Sequence, residues 1–127
     1  MIRVAIADDH AEMQVALRLL LSFSADVEVV GAVGNGQEAV ECVKQLQPDI
    51  LVMDIQMPVL DGLEATRQIT RLAVPTRVIL ISIYRGSYTV RQARAAGAKG
   101  FLPKDDLPIS LRQAVKAVHQ GEEFFVE

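Results

Sequence analysis

An aspartate stands where the most apolar stretch of this chain stops. Residues 50–53 read Ile-Leu-Val-Met, Asp54 follows, and two turn-forming elements come next, Pro58 and then Asp61-Gly62. Two further aspartates, Asp8 and Asp9, follow the apolar run 2–7. Ser82 closes the run 77–82, and Lys104 follows the run 100–103. If those run ends meet at one edge of a sheet, three carboxylates, a hydroxyl and an ammonium converge there. Two carboxylates ~4 Å apart repel by about 4 kcal/mol at an effective dielectric near 20. Such a cluster requires a cation or a shared proton. All-oxygen ligands favour Mg²⁺, with Mn²⁺ as a substitute, over zinc. With two His and one Cys in the chain, a soft-metal site is not indicated. The set suits a phosphoryl group. The metal and Lys104 would neutralise its oxygens, Ser82 would donate a hydrogen bond, and Asp54 would be the nucleophile that forms an acyl phosphate. Alone, Asp54 reads as an ordinary helix-entry turn residue; its partners argue for the chemistry.

The elements that must position these groups follow from the pattern. Apolar runs at 2–7, 27–33, 49–53, 77–82 and 100–103 alternate with helical stretches at about 11–23, 36–46, 61–71, 87–96 and 107–120. Three of the runs are continuously apolar, as strands buried on both faces of a parallel sheet are. In the last helix, Leu111, Ala114, Val115 and Val118 form one stripe. Asn35-Gly36 marks the turn into the second helix, and Gly97 and Gly121 stand past the ends of the fourth and fifth. Five strands alternating with five helices predict an α/β domain, a flavodoxin-like five-stranded parallel sheet in the order 2-1-3-4-5 with helices on both faces. Ligands of such sheets bind beyond the carboxyl ends of the strands, where the strand order reverses. That point lies between the first and third strands, and brings Asp8 and Asp9 to Asp54.

Bulk properties fit one domain spanning 1–127. The chain is half hydrophobic and 23% charged, with a formal net charge of −3. That balance argues against nucleic-acid binding by this segment itself, since phosphate contacts need a basic face. Cys42 reads as a small core residue. No window approaches the ~20 apolar residues of a membrane span, and a cytoplasmic location is the expectation.

Taken together, "ADDH", "LVMDIQMPVLDG", "ILIS" and "GAKGFLPKD", in this order and each at a strand end, resemble the receiver domain of a two-component response regulator. The resemblance covers essentially the whole chain. It implies that Asp54 is the phosphoacceptor, charged by the phosphohistidine of a sensor histidine kinase. It implies that Asp8, Asp9, Asp54 and the backbone carbonyl of Gln56 hold Mg²⁺. Ser82 matches the switch hydroxyl, Phe101 the switch aromatic, Lys104 the site lysine, and Pro58 and Gly62 the loop into the third helix. Phe101 stands where many members carry Tyr, so a switch through a phenol oxygen is not available and one through burial is expected. Lys104 is followed by Asp105, not Pro, so no cis peptide is implied there.

In a domain of this layout the Gln56 and Tyr84 side chains would hang over the phosphoryl group and modulate its lifetime. From residue 97 through "LRQAVKAVHQGEEFF" the chain is similar to receivers that precede a LuxR-type helix-turn-helix. DNA would then be contacted only through an output domain outside residues 1–127, and two copies would pair on phosphorylation. A stand-alone receiver and a small Mg²⁺-dependent phosphohydrolase are the other readings. The basic residues Arg85, Arg91, Arg94 and Lys99 around the fourth helix form either a solvated face or a docking surface. His10 reads as an exposed helix-start residue and His119 as a complement to the last helix dipole.

Overall fold

The computed structural model describes all 127 residues. In chain order the elements are β1 (Ile2–Ala7), α1 (Ala11–Ser22), β2 (Val27–Val33), α2 (Gly36–Leu46), β3 (Ile50–Asp54), α3 (Gly62–Arg71), β4 (Arg77–Ser82), α4 (Ser87–Ala96) and β5 (Gly100–Pro103). A 3-10 turn at Lys104–Asp106, α5 (Leu107–His119) and a short β6 (Phe124–Phe125) complete the chain. The sheet is parallel throughout, in the order β2-β1-β3-β4-β5-β6. The expected five-strand order is present, and β6 is an addition at its end. A two-residue strand between Glu123 and Val126 is too short to read as a strand from sequence; β6 forms because β5 offers it an open edge.

The continuously apolar strands are explained by two cores. Alternate strand residues (Ala5, Ala7, Leu51, Met53, Val78, Leu80, Phe101) pack with Ala39, Val40 and Val43 of α2, Ala65 and Ile69 of α3, and Val90 and Ala93 of α4. Their neighbours (Val4, Ile6, Ile50, Val52, Ile79, Ile81, Leu102) face Leu17 and Leu21 of α1 and the α5 stripe Leu111, Ala114, Val115, Val118. Both faces of the central strands are therefore dry. The register between β1 and β2 slips between Val4 and Ala5, leaving Val30 without a partner.

The starts of α2 and α3 are fixed by side-chain caps. Asn35 accepts from the Glu38 N–H and Asp61 from the Glu64 N–H, each at 2.9 Å. Gly97 ends α4 at φ 107°, a left-handed conformation that disfavours a side chain. Gly62 is required for a different reason: a Cβ there would lie 2.2 Å from the backbone oxygen of Asp54. The first turn of α3 thus sits directly against the strand end that carries Asp54.

Candidate functional site

Asp54 is the last residue of β3, paired with Ile81 of β4, and not the first residue of the loop. Its side chain is almost fully buried. Asp8 continues the line of β1, donating its N–H to the Val33 oxygen at 3.0 Å, and is completely buried. Neighbouring parallel strands therefore deliver both acids to one edge. Asp9 points outward with its side chain 29% exposed. Ser82 ends β4, and Lys104 follows β5 at the same edge.

Lys104 is the electrostatic centre of the group. Its Nζ lies 3.2 Å from Asp8 Oδ2 and 3.2 Å from Asp54 Oδ2. The other oxygens are held by backbone: Asp8 Oδ1 accepts from the His10 N–H at 2.9 Å, and Asp54 Oδ1 from the Gln56 N–H at 3.2 Å. Burial is the largest influence on Asp54 and raises its pKa; Lys104 opposes this, and the Asp8 charge adds to it. Lys104 itself is held charged, with its pKa raised by Asp54 and Asp8 despite the cost of its burial. The two directions are compatible, because one ammonium is shared between two buried acids.

Ligating atoms of Asp8, Asp9, His10 and Asp54 all lie within 4.8 Å of one another. Three carboxylates and one ammonium leave two negative charges, which is what one divalent cation neutralises. The donors are mainly oxygens, with Asp9 on the solvent side, so the residues fit a hard ion that keeps several waters. The His10 side chain is 60% exposed, as a helix-start residue should be, yet its Nδ1 is 3.3 Å from Asp9 Oδ1 and 3.4 Å from Asp8 Oδ1.

Ser82 is buried, and its Oγ accepts the Tyr84 N–H at 3.0 Å. Ser82, Gln56 and Tyr84 line one groove of about 410 Å³, together with Arg85, Tyr88 and Gln92. Tyr84 is exposed. Phe101 is different from what a switch by burial requires: its ring is already fully buried beneath α4 and among the largest side chains of the core. A switch at Phe101 has to rearrange a filled space, since no further apolar surface is left to bury.

Gln14 carried no chemical signal in the sequence, and Arg85 was legible only as one of the basic residues around the fourth helix. Gln14, one turn into α1, donates its Nε2 to the Asp8 backbone oxygen at 2.7 Å and to the Val33 oxygen at 3.0 Å. It ties the acidic turn to β2. Arg85, in the loop after Ser82, reaches Asp105 at 3.3 Å and Asp106 at 3.5 Å, the residues that follow Lys104. A hydropathy pattern exposes neither contact, because both join segments far apart in sequence.

The family model for the response regulator receiver domain matches residues 4–116. The chain belongs to that family. Among curated proteins, the transcriptional regulatory protein LnrK of Bacillus subtilis (strain 168) is 37% identical over 121 residues, covering 95% of this receiver and 55% of LnrK. A protein-glutamate methylesterase/protein-glutamine glutaminase of Methanosarcina mazei is 42% identical over 108 residues, 84% of this receiver and 30% of that enzyme. Among solved structures, the signal receiver domain of the putative response regulator NarL from Mycobacterium tuberculosis superimposes with a TM-score of 0.91 at 36% identity, covering 95% of this receiver and 98% of that chain. The receiver spans about half the length of the transcriptional regulators that it matches. No helix of the receiver is long and apolar enough to cross a membrane.

Proposed function

We propose that the receiver is a phosphorylation-controlled switch that accepts a phosphoryl group on Asp54 from the phosphohistidine of a sensor histidine kinase. The observation that carries the reading is the buried Asp54 carboxylate, bonded to Lys104 and facing Asp8 and Asp9 across adjacent strand ends. An Asp54 oxygen attacks phosphorus in line, the P–N bond to imidazole breaks, its electron pair leaves with the imidazole, and an acyl phosphate results. Lys104 keeps a phosphate oxygen neutralised, and Ser82, released from the Tyr84 N–H, donates its hydroxyl to another. Asp8, Asp9, Asp54 and the Gln56 carbonyl would hold Mg²⁺ or Mn²⁺, which supplies charge neutralisation at the transferring group. Gln56 and Tyr84, from the groove beside Ser82, govern access of the water that later removes the phosphoryl group.

The receiver is regulatory and not itself an enzyme in this reading. Its output is transcriptional control through a DNA-binding domain outside residues 1–127, as the regulators among its relatives suggest, with pairing of two copies as the route. Incubation with Mg²⁺ and acetyl phosphate should add one phosphoryl group by mass, and none in Asp54→Asn. Turnover of excess p-nitrophenyl phosphate would instead identify a phosphohydrolase. Labelling of Asp54→Asn at the wild-type rate would overturn the assignment.

A further inference from the structure

Residues 122–127 are tied to the sheet. Phe124 and Phe125 extend the sheet beside Gly100 and Phe101. The Phe124 N–H donates to the Lys99 oxygen at 3.0 Å, and the Val126 N–H to the Phe101 oxygen at 2.9 Å. Phe125 packs on the core under α2, α3 and α4, whereas Phe124 and Val126 pack on the core under α1 and α5. Two arginines from the α4 unit hold the same segment from outside. Arg94 pairs with Glu123, and its guanidinium lies 4.0 Å above the Phe125 ring. Arg85 donates from Nε to the Glu127 oxygen at 3.1 Å while it contacts Asp105 and Asp106. The basic cluster read from the sequence thus has, at two of its four positions, an occupant within the chain.

Arg85 stands three residues after Ser82 and lines the groove that Ser82 and Gln56 also line. Its present partners are weak competitors. Asp105 is 74% exposed, and the contacts to Asp105 and Asp106 are long, at 3.3 and 3.5 Å. Exposed pairs of this kind contribute little. A phosphoryl group on Asp54 would bring about −1.5 to −2 charges to the head of that groove, and a guanidinium prefers such a dianion to a solvated carboxylate. Ser82 adds a second pull, since turning its Oγ to the phosphoryl group disturbs the bond to Tyr84, the residue before Arg85.

We propose that residues 122–127 form a clip on the β5 edge whose hold is coupled to phosphorylation through Arg85. Phosphorylation draws Arg85 away from Glu127 and the Asp105–Asp106 pair, and the clip loosens with only Arg94 left to hold it from outside. The proposal rests on Asp54 being the phosphoacceptor, and its test separates the two. Beryllium fluoride with Mg²⁺ serves as the phosphoryl mimic, and amide hydrogen exchange is followed residue by residue. The amides of Phe124 and Val126 should lose about two- to fivefold in protection, the scale of an exposed contact of this kind. In Arg85→Ala those amides should be less protected from the start and insensitive to the mimic. The same variant should bind the mimic more weakly, because it lacks the guanidinium that the mimic draws in, whereas Glu123→Ala, which loosens the clip and keeps Arg85, should by reciprocity bind it more tightly.

Unchanged exchange at Phe124 and Val126, while the amides of Gln56 and Tyr84 respond, overturns the clip and leaves the phosphoacceptor reading intact. No response at Gln56 and Tyr84 overturns the phosphoacceptor reading and the clip with it. Loosening of equal size in Arg85→Ala overturns Arg85 as the link.

Discussion

Replacing Asp54 by Asn should make the receiver more stable at neutral pH, although it removes the proposed phosphoacceptor. The Asp54 charge gains about 5 kcal/mol from Lys104 at 3.2 Å, taking an effective dielectric of about 20. Against this stand its burial, which is the larger influence, and the Asp8 carboxylate, which opposes the charge by less than Lys104 favours it. Burial and the Asp8 charge together outweigh Lys104, so the charged form of Asp54 is disfavoured on balance. Asparagine can still accept the Gln56 N–H, and Lys104 keeps Asp8. A net gain of about 1–2 kcal/mol is expected, which raises the melting temperature by about 5 °C for a domain of this size.

The sign with pH follows from the raised pKa of Asp54. Over the interval between the ordinary value of 3.8 and that raised pKa, the folded protein keeps a proton that the unfolded chain has lost. Wild-type stability therefore falls as pH rises through this interval and stays reduced above it. The advantage of the Asn variant is full at neutral pH and disappears below the ordinary value. Urea unfolding of both proteins in EDTA, at pH 7 and at pH 3.5, measures it. Added Mg²⁺ should narrow the gap at pH 7, because the wild type binds the ion better. A variant that is no more stable in EDTA at pH 7, or whose advantage does not change with pH, would refute the charge accounting.

Other perturbations address the neighbouring structure. Phe101→Ala should cost about 3–5 kcal/mol in chemical denaturation, because the ring is fully buried and leaves a cavity; a silent substitution would contradict its placement. Gly62→Ala pushes a Cβ against the Asp54 backbone, so a loss of about 1–3 kcal/mol and slower labelling by acetyl phosphate should appear together. Tyr84→Ala opens the groove beside Ser82, and the phosphorylated form should decay faster in a time course of intact mass; equal decay would show that the exposed ring shields nothing.

Much of the site was legible because strand ends are local features. Asp8, Asp54, Ser82 and Lys104 each stand where an apolar run stops, and the parallel order then brings them together without further information. The two-sided core was equally plain, since strands dry on both faces cannot alternate. Contacts set by tertiary proximity were not legible. β6 depends on the open edge of β5, Gln14 on the separation between α1 and β2, and Arg85 on how the loop after β4 lies over the turn after β5. The depth of Phe101 was hidden as well. A short strand with apolar residues on both sides does not tell which of them takes part in a switch and which only fills space.

The slip between β1 and β2 bears on how safely this protein can be concentrated. β2 is the other margin of the sheet, and its sequence holds five apolar residues, a glycine and the single charge of Glu28. A straight strand of that composition is a template for sheet growth between molecules. The extra residue, Val30, interrupts the ladder after the first three pairs, so the outer margin cannot offer one continuous register to another chain. Solubility along this border is thus guarded by backbone geometry more than by charge. Shortening β2 by that one residue would create a cleaner strand and a more aggregation-prone protein.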